Sequence, residues 1–204
     1  MTYLEFRDRF IGFGAFSVHQ VNAAFPDFSP NNFTRWQRSG LIIKLRQGFY
    51  VFQEVCSQPN FALFLSNFIY KPSYISLHTA LAFYGIIPEA VTQITAVSSR
   101  KTADFQNDVA QFSFKKIKPD FFFGYEQKPL GERTVSIAMP EKAILDLLYL
   151  YPFYNTESEM ENLRFDEDFV RNELDRGKLT LYLNQFNNKK LAKRVEIFRK
   201  LHGI

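Results

Sequence analysis

The stretch from Phe16 to Phe52 constrains the fold more than any other part of the chain. Ser17-Val18-His19-Gln20 has the form of a capping box. The Ser17 hydroxyl can accept from the amide three residues on, and the Gln20 side chain can reach back. Phe16 and Val21 occupy the flanking apolar staple positions, and Val18, Val21 and Phe25 give one apolar face. Pro26-Asp27-Phe28 makes a short turn. A second helix is expected from Ser29, with Pro30 at its first helical position, where a missing N–H costs nothing. Phe28 and Phe33 form another staple, and Gly40 stops the helix.

The second helix has two unlike faces. At 100° per residue Phe33 and Trp36 point one way. Asn31, Thr34, Arg35 and Arg38 gather on the other, with Asn32 beside them in the first turn. These side chains suit base edges and phosphates: arginine for guanine, asparagine for adenine, threonine for a phosphate or a thymine methyl. From Phe28 to Gln53 there is no acidic residue, whereas ordinary surface helices mix both signs. Next, Ile42-Ile43-Lys44-Leu45-Arg46, the turn Gln47-Gly48, and Phe49-Tyr50-Val51-Phe52 read as a β-hairpin. Arg46 and Gln47 sit near its tip, where they would reach a phosphate or the minor groove, and Lys44 on the same hairpin would meet phosphates. The alternative is a simple hairpin covering the helices, which fits Lys44 best. Helix, turn, helix and basic hairpin together form a winged helix-turn-helix, a shape that reads duplex DNA.

The chain has 204 residues, formal charge +4 and a hydrophobic content of 46%, which suits one or two globular domains. Its 24 phenylalanines are read as core packing. The single cysteine, Cys56, excludes an internal disulfide and fits a reducing cytoplasmic setting. No apolar run is long enough for a membrane helix, so no membrane partner is expected. Charge is segmented: residues 157–176 hold eight acidic and three basic side chains, and 178–202 hold seven basic and one acidic. Arg100, Lys101 and Lys115 to Lys118 form a further basic zone.

Gln53 to Pro59 is polar and reads as a joint. It divides the chain into a winged helix over 1–56 and a C-terminal domain over 57–204. In the second part, helices are expected over Phe61–Ile69 and Tyr74–Tyr84. Strands are expected over Gln93–Val97, Val109–Lys115 and Thr134–Ala138. A helix follows from Pro140 with Ile144, Leu147, Leu148 and Tyr151 inward. Three short helices, Asp166–Leu174, Leu179–Phe186 and Lys189–Leu201, close the chain. The class is α+β, with a small sheet and a helical C-terminal tail.

Three blocks carry a resemblance. The first is Tyr74-Ile75-Ser76 with Thr79-Ala80-Leu81 and Tyr84-Gly85-Ile86-Ile87-Pro88. The second is Ile94-Thr95-Ala96-Val97 with Arg100-Lys101. The third, and most specific, runs from Ile137 to Leu148. Together with the winged helix they resemble the AbiEi-type antitoxins of bacterial abortive-infection systems, over roughly Ser17 to Tyr151. One departure is Thr79, where that family usually has serine. The resemblance implies a winged helix that represses its own operon at inverted repeats in promoter DNA. It also implies a C-terminal antitoxin domain that counteracts a nucleotidyltransferase toxin encoded next door, in a type IV arrangement without a stable complex.

No catalytic residue, metal site or cofactor is expected. Glu141, Lys142 and Asp146 look catalytic, but Lys142 and Asp146 are an i, i+4 pair and Glu141 sits at a helix N-terminus, so structural duty accounts for all three. Pro119-Asp120 with Glu126-Gln127-Lys128 superficially matches a nuclease metal site, but five intervening residues leave little room to bring the carboxylates together. His19, His78 and His202 are scattered, without zinc spacing. Two alternatives remain: a regulator with a ligand- or protein-sensing C-terminal domain, and a metal-dependent nuclease.

Overall fold

The computed structural model describes residues 1–89 and 91–204. It is a mixed α+β fold. The chain opens with helix α1 (Tyr3–Phe10), strand β1 (Ala15–Ser17), helices α2 (Val18–Ala24) and α3 (Asn31–Arg38), and the hairpin β2 (Ile42–Arg46) and β3 (Phe49–Phe52). The three strands form an antiparallel sheet in the order β1-β3-β2.

Helix α1 was not expected, although its signal is present: Thr2 and Glu5 make a complete capping box. Its face supplies the centre of an aromatic core. The Phe6 ring lies 4.7 to 6.5 Å from those of Phe10, Phe16, Phe28, Phe33, Trp36 and Phe52. Much of the phenylalanine excess is therefore core.

The expected capping box of α2 is present in both directions: the Ser17 hydroxyl accepts from the Gln20 amide at 3.2 Å, and Gln20 Oε1 accepts from the Ser17 amide at 2.8 Å. We expect Ser17→Ala to cost about 1 kcal/mol, read as a melting temperature lower by about 2–4 °C. An unchanged melting curve would show that the cap does not hold this helix.

Helix α3 begins one residue later than its sequence suggests. Pro30, at φ −57° and ψ −22°, stands just before it, and Ser29 makes no side-chain cap. The amides of Asn32 and Phe33 reach only three residues back, so the first turn is tight. At the other end Gly40 takes φ +68°. There the Gly40 amide donates to Gln37 and the Leu41 amide to Trp36, a Schellman closure.

The joint is not a loose linker. Gln53–Val55 forms a 3₁₀ turn with Val55 buried, and Arg7 makes two bonds to Glu54, at 2.7 and 2.8 Å. Buried side chains before and after this point belong to one continuous hydrophobic cluster.

Beyond the joint come α4 (Phe61–Ile69), β4 (Tyr74–Ile75), α5 (Leu77–Phe83), β5 (Gln93–Ser98), β6 (Ala103–Gln106), β7 (Gln111–Lys116), β8 (Tyr125–Leu130), β9 (Arg133–Ala138) and α6 (Pro140–Leu150). Then follow α7 (Glu157–Glu161), a π-helical turn at Phe169–Glu173, α8 (Arg176–Phe186) and α9 (Lys189–His202). Six strands form a mixed sheet in the order β6-β7-β5-β4-β9-β8. Helix α5 packs on β5 and α6, and α6 packs on α8 and α9.

Several expectations are corrected here. Tyr74–Tyr84 is not one helix: Tyr74 and Ile75 are a buried strand between β5 and β9, and the helix starts only at Leu77. A short apolar run is ambiguous by periodicity, and sheet pairing decided it. Strand β7 starts at Gln111, not Val109, because Asn107 Oδ1 accepts from the amides of Val109 and Ala110 in a side-chain turn. Strands β1, β6 and β8 and helix α7 are not among the expected elements. Strand β8 is mostly exposed, carries Glu126, Lys128 and Pro129, and lies at the edge of the sheet. Helix α8 begins at Arg176 because Asp175 caps it, accepting from the Lys178 amide at 2.9 Å.

The three sequence blocks meet in the interior. Tyr74 and Ser76 each donate to Asp146 Oδ2 at 2.9 Å. Lys142 Nζ donates to the Tyr74 hydroxyl at 2.8 Å and to Asp146 Oδ1. Thr79 and Thr95 exchange bonds between α5 and β5, and Thr95 Oγ1 also donates to the Ser76 carbonyl. Lys142 and Asp146 are both fully buried. Burial pushes the Asp146 carboxyl up and the Lys142 ammonium down from their ordinary values, each opposed by the other's charge. Glu141 is buried too; its Oε1 accepts from the Asp175 amide at 3.0 Å.

Candidate nucleic-acid interface

Helix α3 buries Phe33 and Trp36 and leaves Asn31, Thr34, Arg35 and Arg38 exposed. These four, with Ser39, line one shallow depression of about 370 Å³. Asn32 is half-buried, and its Oδ1 accepts from Arg35 Nη2 at 2.9 Å. That bond holds the guanidinium in one orientation and leaves its other donors facing outward. Among the described residues no carboxylate lies within ion-pair distance of Arg35 or Arg38.

The hairpin carries Lys44 and Gln47 exposed, as expected. Arg46 differs. Instead of standing free at a tip, it is half-buried, with its guanidinium 4.4 Å from the centre of the Phe49 ring and 5.3 Å from that of Phe105 in β6. Asn107 Nδ2 also donates to the Leu45 carbonyl at 3.1 Å. The hairpin is therefore backed by the β6–β7 turn. Arg46's position depends on residues 59 and 61 places away, which local pattern could not reveal. Burial first, and then Arg100, lower the Arg46 pKa from the ordinary arginine value.

Two residues missing from the sequence-based site, Lys71 and Arg100, line a cleft with Arg46. In the sequence Arg100 stands in a basic zone and in the second resemblance block, with nothing local to link it to Arg46. On α9, Lys189 and Lys193 are exposed, but Lys200 pairs with Glu157 at 2.7 Å and Arg194 donates to the Leu148 carbonyl. Part of that charge thus holds the helical tail together.

The nuclease-like pattern is occupied otherwise. Glu126 lies 3.6 Å from Lys128, whose ammonium sits 4.9 Å from the Tyr84 ring. Among the described residues no group of three or more His, Cys, Asp or Glu side chains could hold a metal ion. Nor is any helix there long and apolar enough to cross a membrane.

No protein-family model and no curated protein matches this chain. The functional reading therefore rests on the geometry of α3 and on the sequence resemblance.

Proposed function

We propose that the chain is a DNA-binding autorepressor and antitoxin of the AbiEi type. The observation that carries the DNA part is the acid-free exposed face of α3, built from Asn31, Thr34, Arg35 and Arg38. The order α1-β1-α2-α3-β2-β3, with a three-stranded sheet, supports reading residues 1–56 as a winged helix. On this reading α3 enters the major groove, and Asn31, Asn32, Arg35 and Arg38 meet base edges. Lys44 and Gln47 lie at the backbone. Arg46 contributes charge from a fixed position. Residues 57–204 would act against a neighbouring nucleotidyltransferase toxin, a part supported by the resemblance alone. The setting would be cytoplasmic.

The test is fluorescence anisotropy with the chain's own promoter, including its inverted repeats, against scrambled duplex over a range of salt. The promoter should bind more tightly, and affinity should fall steeply with salt. Lys44→Ala should weaken both duplexes alike and reduce the salt slope by about one unit. Equal affinity for promoter and scrambled DNA would remove the reading role. A loss confined to the promoter with the slope intact would make Lys44 a base contact.

A further inference from the structure

Two clefts meet at Phe68 and Lys71, which line both. The first, of about 350 Å³, is walled by Phe64, Phe122 and Tyr125, with Gln127 and Thr134 polar at its margin. Aromatic side chains commonly hide in a core, yet Phe64, Phe68 and Phe122 are only half-buried and Tyr125 is 37% exposed. Ser73 also lines this cleft; it is 8% exposed, and its hydroxyl has no hydrogen-bond partner. A buried hydroxyl left unpaired is costly and calls for an explanation.

The second cleft, of about 250 Å³, brings together Arg46, Lys71 and Arg100. Among the described residues none of the three pairs with a carboxylate. They rest on aromatic rings instead: Arg46 on Phe49 at 4.4 Å, Arg100 on Tyr70 at 4.9 Å and Lys71 near Phe68 at 5.8 Å. Arg46 Nε is buried without a partner. Arg100 also lowers the Arg46 pKa, as expected of like charges brought close. Three cations around one cleft without a counter-charge make a receptor for a multiply charged anion.

We propose that these joined clefts bind a nucleoside triphosphate, its base among the rings of Phe64, Phe68, Phe122 and Tyr125 and its phosphates on Arg46, Lys71 and Arg100. Flat rings at half exposure suit base stacking, which tolerates any base. Ser73 and Gln127 supply polar contacts at the base or sugar. The joint size falls within that of small-molecule sites. The site shares Arg46 with the proposed DNA surface but no residue with the exposed face of α3, and a nucleotide there is a ligand other than duplex DNA. It also spans the hairpin and the later chain, so its occupant would touch both.

The experiment is calorimetric titration of the full chain, without DNA, with ATP, GTP, CTP and UTP in turn. Each nucleoside and inorganic tripolyphosphate are titrated alongside. At least one triphosphate should bind with Kd of about 100 μM or tighter, a strength ordinary for a cofactor-sized ligand. Its nucleoside and tripolyphosphate should each bind at least about tenfold more weakly, since each keeps only half of the contacts. Arg100→Gln, at an exposed position, should weaken the nucleotide about tenfold or more. Tyr125→Ala should weaken the nucleotide about tenfold but not tripolyphosphate. Because Tyr125 also stacks on Tyr74 at 4.8 Å, Gln127→Glu serves as a second probe. It is exposed, and its carboxylate should repel the ligand. Circular dichroism checks each fold, and Arg35→Ala/Arg38→Ala should leave nucleotide binding unchanged.

The proposal is overturned if no triphosphate binds below about 1 mM. It is equally overturned if tripolyphosphate binds as tightly as the best nucleotide, which would leave an anion cleft alone. The same holds if Arg100→Gln and Gln127→Glu both leave the affinity intact. Should Arg100→Gln weaken promoter DNA while nucleotides do not bind at all, the cations serve a DNA backbone and the nucleotide site does not exist.

Discussion

Asp146→Ala is expected to destabilise the protein by about 3–5 kcal/mol, the cost of leaving a buried charge without its partner. Lys142 is fully buried, and its ammonium has Asp146 and the Tyr74 hydroxyl as its hydrogen-bond partners. Around it stand the rings of Tyr74, Phe123 and Phe186, at 5.3, 5.0 and 4.9 Å. Rings soften the loss but do not replace a carboxylate. The same change leaves the Ser76 hydroxyl without its partner and takes from the Tyr74 hydroxyl the acceptor of its proton, while Lys142 still donates to Tyr74. Since domains of ordinary stability hold only about 5–15 kcal/mol, the variant should be close to unfolding. Urea denaturation followed by circular dichroism reads this directly. The double variant Lys142→Met/Asp146→Leu should recover much of the loss, because removing both charges also removes their desolvation cost. A loss under about 1 kcal/mol for Asp146→Ala would mean that water reaches the pair.

Arg35→Ala/Arg38→Ala should abolish promoter selectivity while leaving the fold intact. Both side chains are exposed, so little packing is lost. Each is expected to cost about 1–3 kcal/mol if it meets a base edge with two bonds. Together they should bring promoter affinity close to that for unrelated DNA, a gap of typically about 10³-fold or more. The values need not add, because the residues are one turn apart on α3. The same variant separates two roles. If the proposed antitoxin role holds, then with a neighbouring nucleotidyltransferase toxin expressed from a constitutive promoter the variant should still protect cells, since residues 57–204 are unchanged. Loss of protection by a folded, normally expressed variant would join DNA binding to the antitoxin action. Truncation near Phe52 is a poor substitute: it strips Phe68 from Phe49 and Asn107 from Leu45. Unaltered promoter selectivity in the double variant would take α3 out of the reading role.

Local signals carried the first part of the chain. Capping at Ser17, the staple of Phe28 and Phe33 and the stop at Gly40 are short-range events, and the opposed faces of α3 follow from eight consecutive residues. What escaped depends on distant partners. Tyr74 and Ile75 look helical in isolation and become a strand only between β5 and β9. Lys142 and Asp146 are legible as a pair, but not as a buried one, because Tyr74 and Ser76 lie about seventy residues away. The packing of Arg46 on Phe49 and Phe105 is hidden for the same reason, because Phe105 lies fifty-nine residues on. Strand β8 was hidden by its charges and proline, which are normal for an edge and absent from the usual picture of a strand.

That edge has a further meaning for the chain in company. An outer strand offers unpaired backbone groups to any passing extended segment, and a uniform apolar edge invites fibrous growth. Along β8 the row is interrupted. Pro129 brings no amide to it, and Glu126 and Lys128 place charge where an incoming strand would have to settle. A newcomer would gain few bonds there and would have to strip water from ions. The edge is thus one that a crowded solution of identical molecules can touch without sticking.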